Sequence, residues 1–320
     1  MQVIAITGGK GGVGKTNIAV NLAVSMSMEG LDVMLFDADL GLANVDVVLG
    51  MKPKYTLADV VSGDKTLADV VVDGPEGVRV IPAASGVAQM VEMQSGEQET
   101  LIRQLSDQLI PPDVLIVDTG AGIDQTVQTF VAACQSAVLV VCDEPASLTD
   151  AYALMKVLRA KKDIRRFEIL ANQVDNPLQG KQLFERIGNV CDRYLDVELG
   201  YLGGVPTDMY LRRAVQERRA LVSAYPRSPA AIAILDAGRR LNQAHLDDHL
   251  TVWHGWNFYC NSVQQRVACC LWVLALIDVD GDCKLIVIAC DKLCALFSWN
   301  RRIARDYHTH HLASCCNAQR

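Results

Sequence analysis

A chain of 320 residues, half of them hydrophobic and only 21% charged, can build one large domain with an appendage or two domains, and this excludes a disordered chain. Its formal net charge of −7 argues against nonspecific nucleic-acid binding, which needs lysines and arginines to displace phosphate counterions. No run of 18 apolar residues and no basic leader with a cleavage site is present, so neither a transmembrane helix nor a signal peptide is expected, and the predicted location is the cytoplasm, with reduced cysteines.

In chain order, residues 3–7 are an apolar run that reads as a buried strand, and a helical pattern occupies about 15–29. Between them lies Gly8-Gly9-Lys10-Gly11-Gly12-Val13-Gly14-Lys15-Thr16. Residues Gly9 to Thr16 fit the G-x-x-x-x-G-K-[ST] pattern of a phosphate-binding loop, and the strand before and helix after are the context that pattern requires. The glycines let backbone N–H groups turn onto phosphate oxygens, and the helix start adds its positive dipole end. Lys15 is expected at the β- and γ-phosphates, and the Thr16 hydroxyl on Mg²⁺.

A second strand over 32–36 runs into Asp37-Ala38-Asp39. Asp39 is a carboxylate suited to accept a hydrogen bond from a water beside a γ-phosphate, whereas Asp37 is expected to support Mg²⁺ or the loop. A strand over 78–82 and a helix over 98–109 follow. The apolar strand over 114–117 ends at Asp118, then Thr119-Gly120-Ala121-Gly122, the arrangement of a Mg²⁺-binding aspartate followed by a mobile glycine switch. Helices over 123–134, 148–159 and 178–194 alternate with strands over 137–142, 168–171 and 201–205. Such alternation of continuous apolar strands with helices predicts an α/β fold, a three-layer and mostly parallel sheet covered on both faces, with ligands at the carboxyl ends of the strands. Asn172 ends one of these strands in Leu170-Ala171-Asn172-Gln173-Val174-Asp175, and its side-chain amide can pair with a purine edge.

The string Lys10-Gly-Gly-x-Gly-Lys15-Thr16 resembles the deviant Walker A motif of the MinD/ParA family of P-loop ATPases. That resemblance implies an ATP hydrolase, slow and Mg²⁺-dependent, that works as a switch. It implies that Lys10 reaches across a homodimer to the partner's nucleotide, as an arginine finger does, so that ATP assembles the dimer and hydrolysis releases it. It places Asp39 at the position that orients the attacking water, and Pro206-Thr207-Asp208 at a second base-contacting loop. It also favours ATP over GTP. Expected roles are thus catalytic for Lys10, Lys15 and Asp39. Nucleotide contacts are expected from Gly9, Lys10, Gly11, Gly12, Val13, Gly14, Lys15, Thr16, Asn172, Pro206 and Asp208, and metal contacts from Thr16, Asp37 and Asp118.

Within the family, residues 37–46, 56–60, 81–86, 141–145, 149–154 and 224–228 are similar to the flagellar-number regulators of the FleN/FlhG group. This covers about residues 1–243. It implies control of flagellar number and placement through a transcription activator of the FleQ/FlrA type and the SRP-type GTPase FlhF, with the inner membrane or cell pole as a further location. Relatives end in an amphipathic membrane helix, and the residues after Gln243 show no such match. Other family activities fit less well. A partition motor on nucleoid DNA needs a basic stripe, a septum-site factor needs the membrane helix, and an iron–sulfur carrier needs clustered cysteines near 118–130, where there are none.

Composition changes abruptly near Gln243. All six histidines, all four tryptophans and eight of the eleven cysteines lie beyond it, all ten prolines before it, and no glutamate after it. A boundary is placed there, giving an ATPase domain over 1–243 and an atypical tail over 244–320. The tail reads first as an end foreign to the rest of the chain, such as a frame-shifted one. A second reading is a hairpin of two apolar runs, 267–277 and 285–289, about an Asp/Gly turn. A third is a metal site from His308, His310, His311, Cys315 and Cys316 with Cys290 and Cys294, or a calcium-like loop starting at Asp278.

Overall fold

The computed structural model describes residues 1–41, 43–83, 101, 105, 111–244, 271–277 and 283–289. The chain divides into two units, Met1–Asn242 and Gln243–Arg320. In the first unit the strands are β1 (Gln2–Thr7), β2 (Val33–Ala38), β3 (Val72–Asp73), β4 (Arg79–Ile81), β5 (Val114–Thr119), β6 (Ser136–Val141), β7 (Arg166–Val174) and β8 (Glu198–Pro206). The longer helices are α1 (Lys15–Met28), α5 (Gln125–Ala132), α6 (Pro145–Lys162), α7 (Pro177–Tyr194) and α8 (Met209–Gln216). The short ones are α2 (Val45–Leu49), α3 (Leu57–Val61), α4 (Leu67–Val70) and α9 (Leu221–Ala224), and residues 229–244 are also helical.

One sheet joins the strands in the order β3-β4-β2-β5-β1-β6-β7-β8. Every neighbouring pair is parallel except β3 with β4. Alternate side chains leave the strands on opposite faces. Ile4, Ile6, Val33, Leu35, Val138 and Val140 pack with α1 and with the helix over 229–244. On the other face Leu139, Val141 and Ile169 meet Val127, Leu154 and Leu183 of α5, α6 and α7. Met34, Phe36, Leu115 and Val117 meet Phe130 of α5, whose ring stands edge-on to Phe36 at 5.5 Å. Both sheet faces are therefore dry, which is why these strands read as unbroken apolar runs. The three-layer, mostly parallel sheet is the one expected.

Parallel strands end on the same side. Thr7, Asp37, Asp118, Val141, Asn172 and Pro206, all at or near strand ends, are thus carried to one edge of the sheet. Strand β7 runs longer than the expected 168–171, because a register shift beside Gln173, at φ 56°, lets pairing continue past Asn172. The short helices and the antiparallel edge strand β3 were not expected. Each is too short to show a hydrophobic period, and α3 and α4 are instead marked by local capping, where Asp59 and Asp69 accept from the Thr56 and Thr66 N–H groups. The helix expected over 98–109 falls largely outside the described residues; 101 and 105 are helical.

In the second unit β9 (Leu271–Ile277) pairs antiparallel with β10 (Cys283–Ala289), Ile277 opposite Cys283. These are the two strands of the hairpin reading. The Asp/Gly turn, the calcium-like loop and all the histidines and cysteines named for a metal site, from Cys290 to Cys316, lie outside the described residues.

Candidate functional site: a nucleotide cradle

The loop after β1 closes on α1 with Gly14 as the N-cap, in the left-handed region at φ 93°, and no side chain caps the helix. Its first N–H groups are therefore left for a ligand. A Cβ at Gly14 would stand 2.5 Å from Nδ2 of Asn172, and one at Gly9 would stand 2.3 Å from the Asp150 carbonyl of α6. The cradle is thus tight against β7 and α6, and glycine is required there by space as well as by φ.

Over the loop opens a cavity of about 420 Å³, lined among others by Gly12, Lys15, Thr16, Asp39, Asn44 and Ala121. A larger groove, about 880 Å³, lies by Phe184, Asn189 and Glu198 at the opposite, amino-terminal ends of β7 and β8, and holds none of the motif residues. Chemistry, not size, selects the smaller one.

Lys15 is only 8% exposed, and burial lowers its pKa, against the pull of Asp118 and Asp39. A cation so placed gains from an anionic ligand. Asp118 is 1% exposed, and among the described residues neither carboxylate oxygen accepts a well-formed hydrogen bond, although the Thr16 hydroxyl lies near enough to favour its charge. Burial drives its pKa well up, the Asp37 charge on neighbouring β2 adds to this, and Thr16 and Lys15 oppose it. Two orphaned oxygens beside a threonine hydroxyl and a second carboxylate form an all-oxygen donor set that fits Mg²⁺. The structure brings Thr16 and Asp118, two of the three residues expected at the metal, together.

Asp37, also 1% exposed, spends its oxygens differently. Oδ1 accepts from the Asp39 N–H at 3.1 Å, and Oδ2 from the Asn44 and Val45 N–H groups at 3.0 and 3.1 Å. Of its two expected roles, these bonds serve the loop: they hold the Asp39, Asn44 and Val45 backbones to one carboxylate at the start of α2. Burial still pushes its pKa to about 7 despite the three donors. Asp39 faces Gly120 and lines the cavity. The following switch is tied to the cradle by the Gly122 N–H, which donates to the Gly8 carbonyl at 3.3 Å.

The base side is built from β7 and β8. Asn172 is buried and donates from Nδ2 to the Val13 carbonyl at 2.7 Å, so one of its two amide N–H groups is committed to the phosphate loop. Asp208 is the N-cap of α8, accepting from the Tyr210 N–H at 2.8 Å, and its second oxygen accepts from the Ala230 N–H at 3.1 Å. The Thr207 N–H donates to the Val174 carbonyl at 2.9 Å and ties the two loops together. Pro206 ends β8 at the same edge. Lys10 is paired within its own chain to Glu144, a residue the sequence reading gave no role. Its one local signal was its place before Pro145 at a helix start. Asn44, which lines the cavity, was also missed; only the fold of the loop around Asp37 brings it there.

Comparison with known proteins agrees with this geometry. The ParA family profile, described as NUBPL iron-transfer P-loop NTPase, matches residues 1–242. The chain is 52% identical to the antiactivator FleN of Pseudomonas aeruginosa over 242 residues, which is 76% of this chain and 86% of that one. It is 38% identical to the flagellum site-determining protein YlxH of Helicobacter pylori over 224 residues, 69% and 74% of the two chains. The fold is similar to the cell division ATPase MinD of Pyrococcus furiosus, with a TM-score of 0.64 and 26% identity over 76% of this chain and 99% of that one. It is equally similar to the septum site-determining protein MinD of Pyrococcus horikoshii complexed with Mg-ADP, with a TM-score of 0.64 and 26% identity over 76% and 97% of the two chains. Nucleotide cradle, metal-ready aspartate and these relatives together lead to one conclusion: the chain belongs to the ParA/MinD family of P-loop ATPases.

Proposed function

We propose that the chain is an ATP-dependent dimerising switch that limits flagellar number and placement, acting on a transcription activator of the FleQ/FlrA type and on an FlhF-type GTPase. The flagellar part is supported by the likeness to the antiactivator FleN and to YlxH. The observation that carries the switch part is the buried pair of opposite charge, Lys15 and Asp118, with Lys15 and Thr16 lining one cavity over the glycine loop.

In this reading Lys15 and the free N–H groups of α1 hold the β- and γ-phosphates. Thr16 and Asp118 hold Mg²⁺, which when bound neutralises phosphate charge. Asp39 accepts a hydrogen bond from the attacking water and orients it. Asn172, with one amide N–H committed to Val13, turns its carbonyl oxygen to the base. An acceptor suits the amino group of adenine and repels the carbonyl of guanine, which favours ATP. Lys10 crosses to the second protomer's nucleotide, so two protomers close face to face only when both are loaded.

Two substitutions test the switch. Lys15→Ala is expected to abolish ATP-dependent dimerisation. Asp39→Ala is expected to keep ATP binding, hold the dimer, and lower hydrolysis about 10²-fold or more. Size-exclusion chromatography with and without ATP, alongside phosphate release, reads both. Normal hydrolysis by Asp39→Ala removes the role given to that carboxylate. Pull-down of the two flagellar partners with ATP, and its loss in Lys15→Ala, tests the flagellar part.

A further inference from the structure

In the single chain Lys10 is already engaged. Its ammonium donates to Oε2 of Glu144, and the Asp150 carboxylate adds a weaker attraction. The two side chains are 36% and 55% exposed, so the pair sits at the surface where a ligand or a second protomer can reach it.

Glu144 is held there by the turn that carries it. It lies between the end of β6 and Pro145, the first residue of α6, and its N–H donates to the Cys142 carbonyl at 2.8 Å. Its neighbour Asp143 is gripped by Arg186 and by Nε2 of Gln179, the latter at 2.9 Å. The same Gln179 accepts through Oε1 from the Asp175 N–H at 2.5 Å, in the loop beyond Asn172. The turn is therefore braced on α7 and on the base loop together. The Glu144 side chain makes no capping bond to the helix it precedes, so removing its carboxylate takes nothing from α6.

We propose that Glu144 is a positioning residue that parks Lys10 in cis, so that nucleotide-driven dimerisation must open two such pairs before the lysines can cross. This rests on the dimerising-switch reading above. The contact is a threshold, not a lock. An exposed ion pair shifts an equilibrium by about 1.5- to 5-fold, so two of them shift a dimerisation by about 2- to 25-fold. A shift of that size moves the ATP level at which dimers form without preventing a loaded pair from closing. Glu144 also holds the Lys10 pKa above its ordinary value, through the hydrogen bond between them.

Two measurements on the full chain test this. In the first, nucleotide-free wild type, Glu144→Gln and Glu144→Ala are treated briefly with an amine-reactive reagent, and labelling of Lys10 is followed by peptide mass spectrometry. Faster labelling of Lys10 in both variants, by about 2- to 5-fold, is expected; equal rates overturn the proposal. In the second, dimer formation is titrated with ATP by size exclusion. Both variants should dimerise at lower ATP than wild type, and Glu144→Ala should change nothing when added to Lys10→Ala. A threshold that stays the same or rises in the variants ends the parking role while leaving the switch reading intact. A wild-type chain that never dimerises with ATP ends both, whatever the labelling shows.

Discussion

A carboxylate buried without a well-formed hydrogen bond is costly, and among the described residues Asp118 presents two such oxygens beside Asp37. Burial raises both pKa values, that of Asp37 to about 7. The folded, nucleotide-free chain therefore binds protons that the unfolded chain releases. The stabilisation linked to Asp37 is fully present below the ordinary carboxylate range and is lost as pH rises to about 7, and that linked to Asp118 is lost in the same direction. Thermal melts without nucleotide should show this loss between mildly acidic and mildly alkaline buffer, and Asp118→Asn should flatten it. Mg²⁺ with ATP requires the ionised form, so its stabilising shift should be larger at the alkaline end; a shift independent of pH would contradict the assignment. At Gly14 the constraint is steric. Gly14→Ala places a methyl group against Asn172 and strains a left-handed φ, at roughly 1–2 kcal/mol for the backbone alone. Chemical denaturation should show that loss, together with weakened nucleotide binding.

At the scale of elements, the two switches hang from single carboxylates. Asp37 gathers three N–H groups from residues 39–45 and so sets where α2 begins. Asp124 caps α5 through the Val127 N–H at 2.9 Å, and α5 buries Val127, Phe130 and Val131 beneath the sheet. Asp124→Ala should cost about 0.5–2 kcal/mol in urea denaturation. It should also slow hydrolysis more than it weakens ATP binding, because it loosens the segment after Asp118 rather than the cradle. These elements were unequally legible. Strands buried on both faces and long helices announce themselves by continuous or 3.6-residue apolar patterns, and α1, α5, α6, α7 and seven of the eight strands of the large sheet were expected near their observed positions. The helices α2, α3, α4 and α9 are four or five residues long. A single turn carries no period, and such helices persist because neighbouring side chains and caps hold them.

For the whole molecule, the division at Gln243 in composition and the division between Met1–Asn242 and Gln243–Arg320 nearly coincide. Every residue named for the nucleotide, its Mg²⁺ or catalysis lies in the first unit, as does the full stretch matched by the family. A chain ending after Gln243 should therefore bind ATP and dimerise as the full chain does, measured by size exclusion of both with and without ATP. Failure of the shorter chain to dimerise would give the tail a part in assembly.

By itself the sequence determined the chemistry of the cradle. Glycines, Lys15 and Thr16 lie within one loop and the first turn of one helix, so their geometry follows from spacing alone. It also determined the layering, because an apolar run buried on both faces has few other places to go. The tertiary structure decided the contacts that depend on strand order. Asn172 meets Val13 across 159 positions, Asn21 accepts from the Val222 N–H across 201, and Lys10 meets Glu144 across 134. Residues so far apart become neighbours only when the whole sheet has closed, since packing of the entire core, rather than any local preference, selects which strand ends stand side by side.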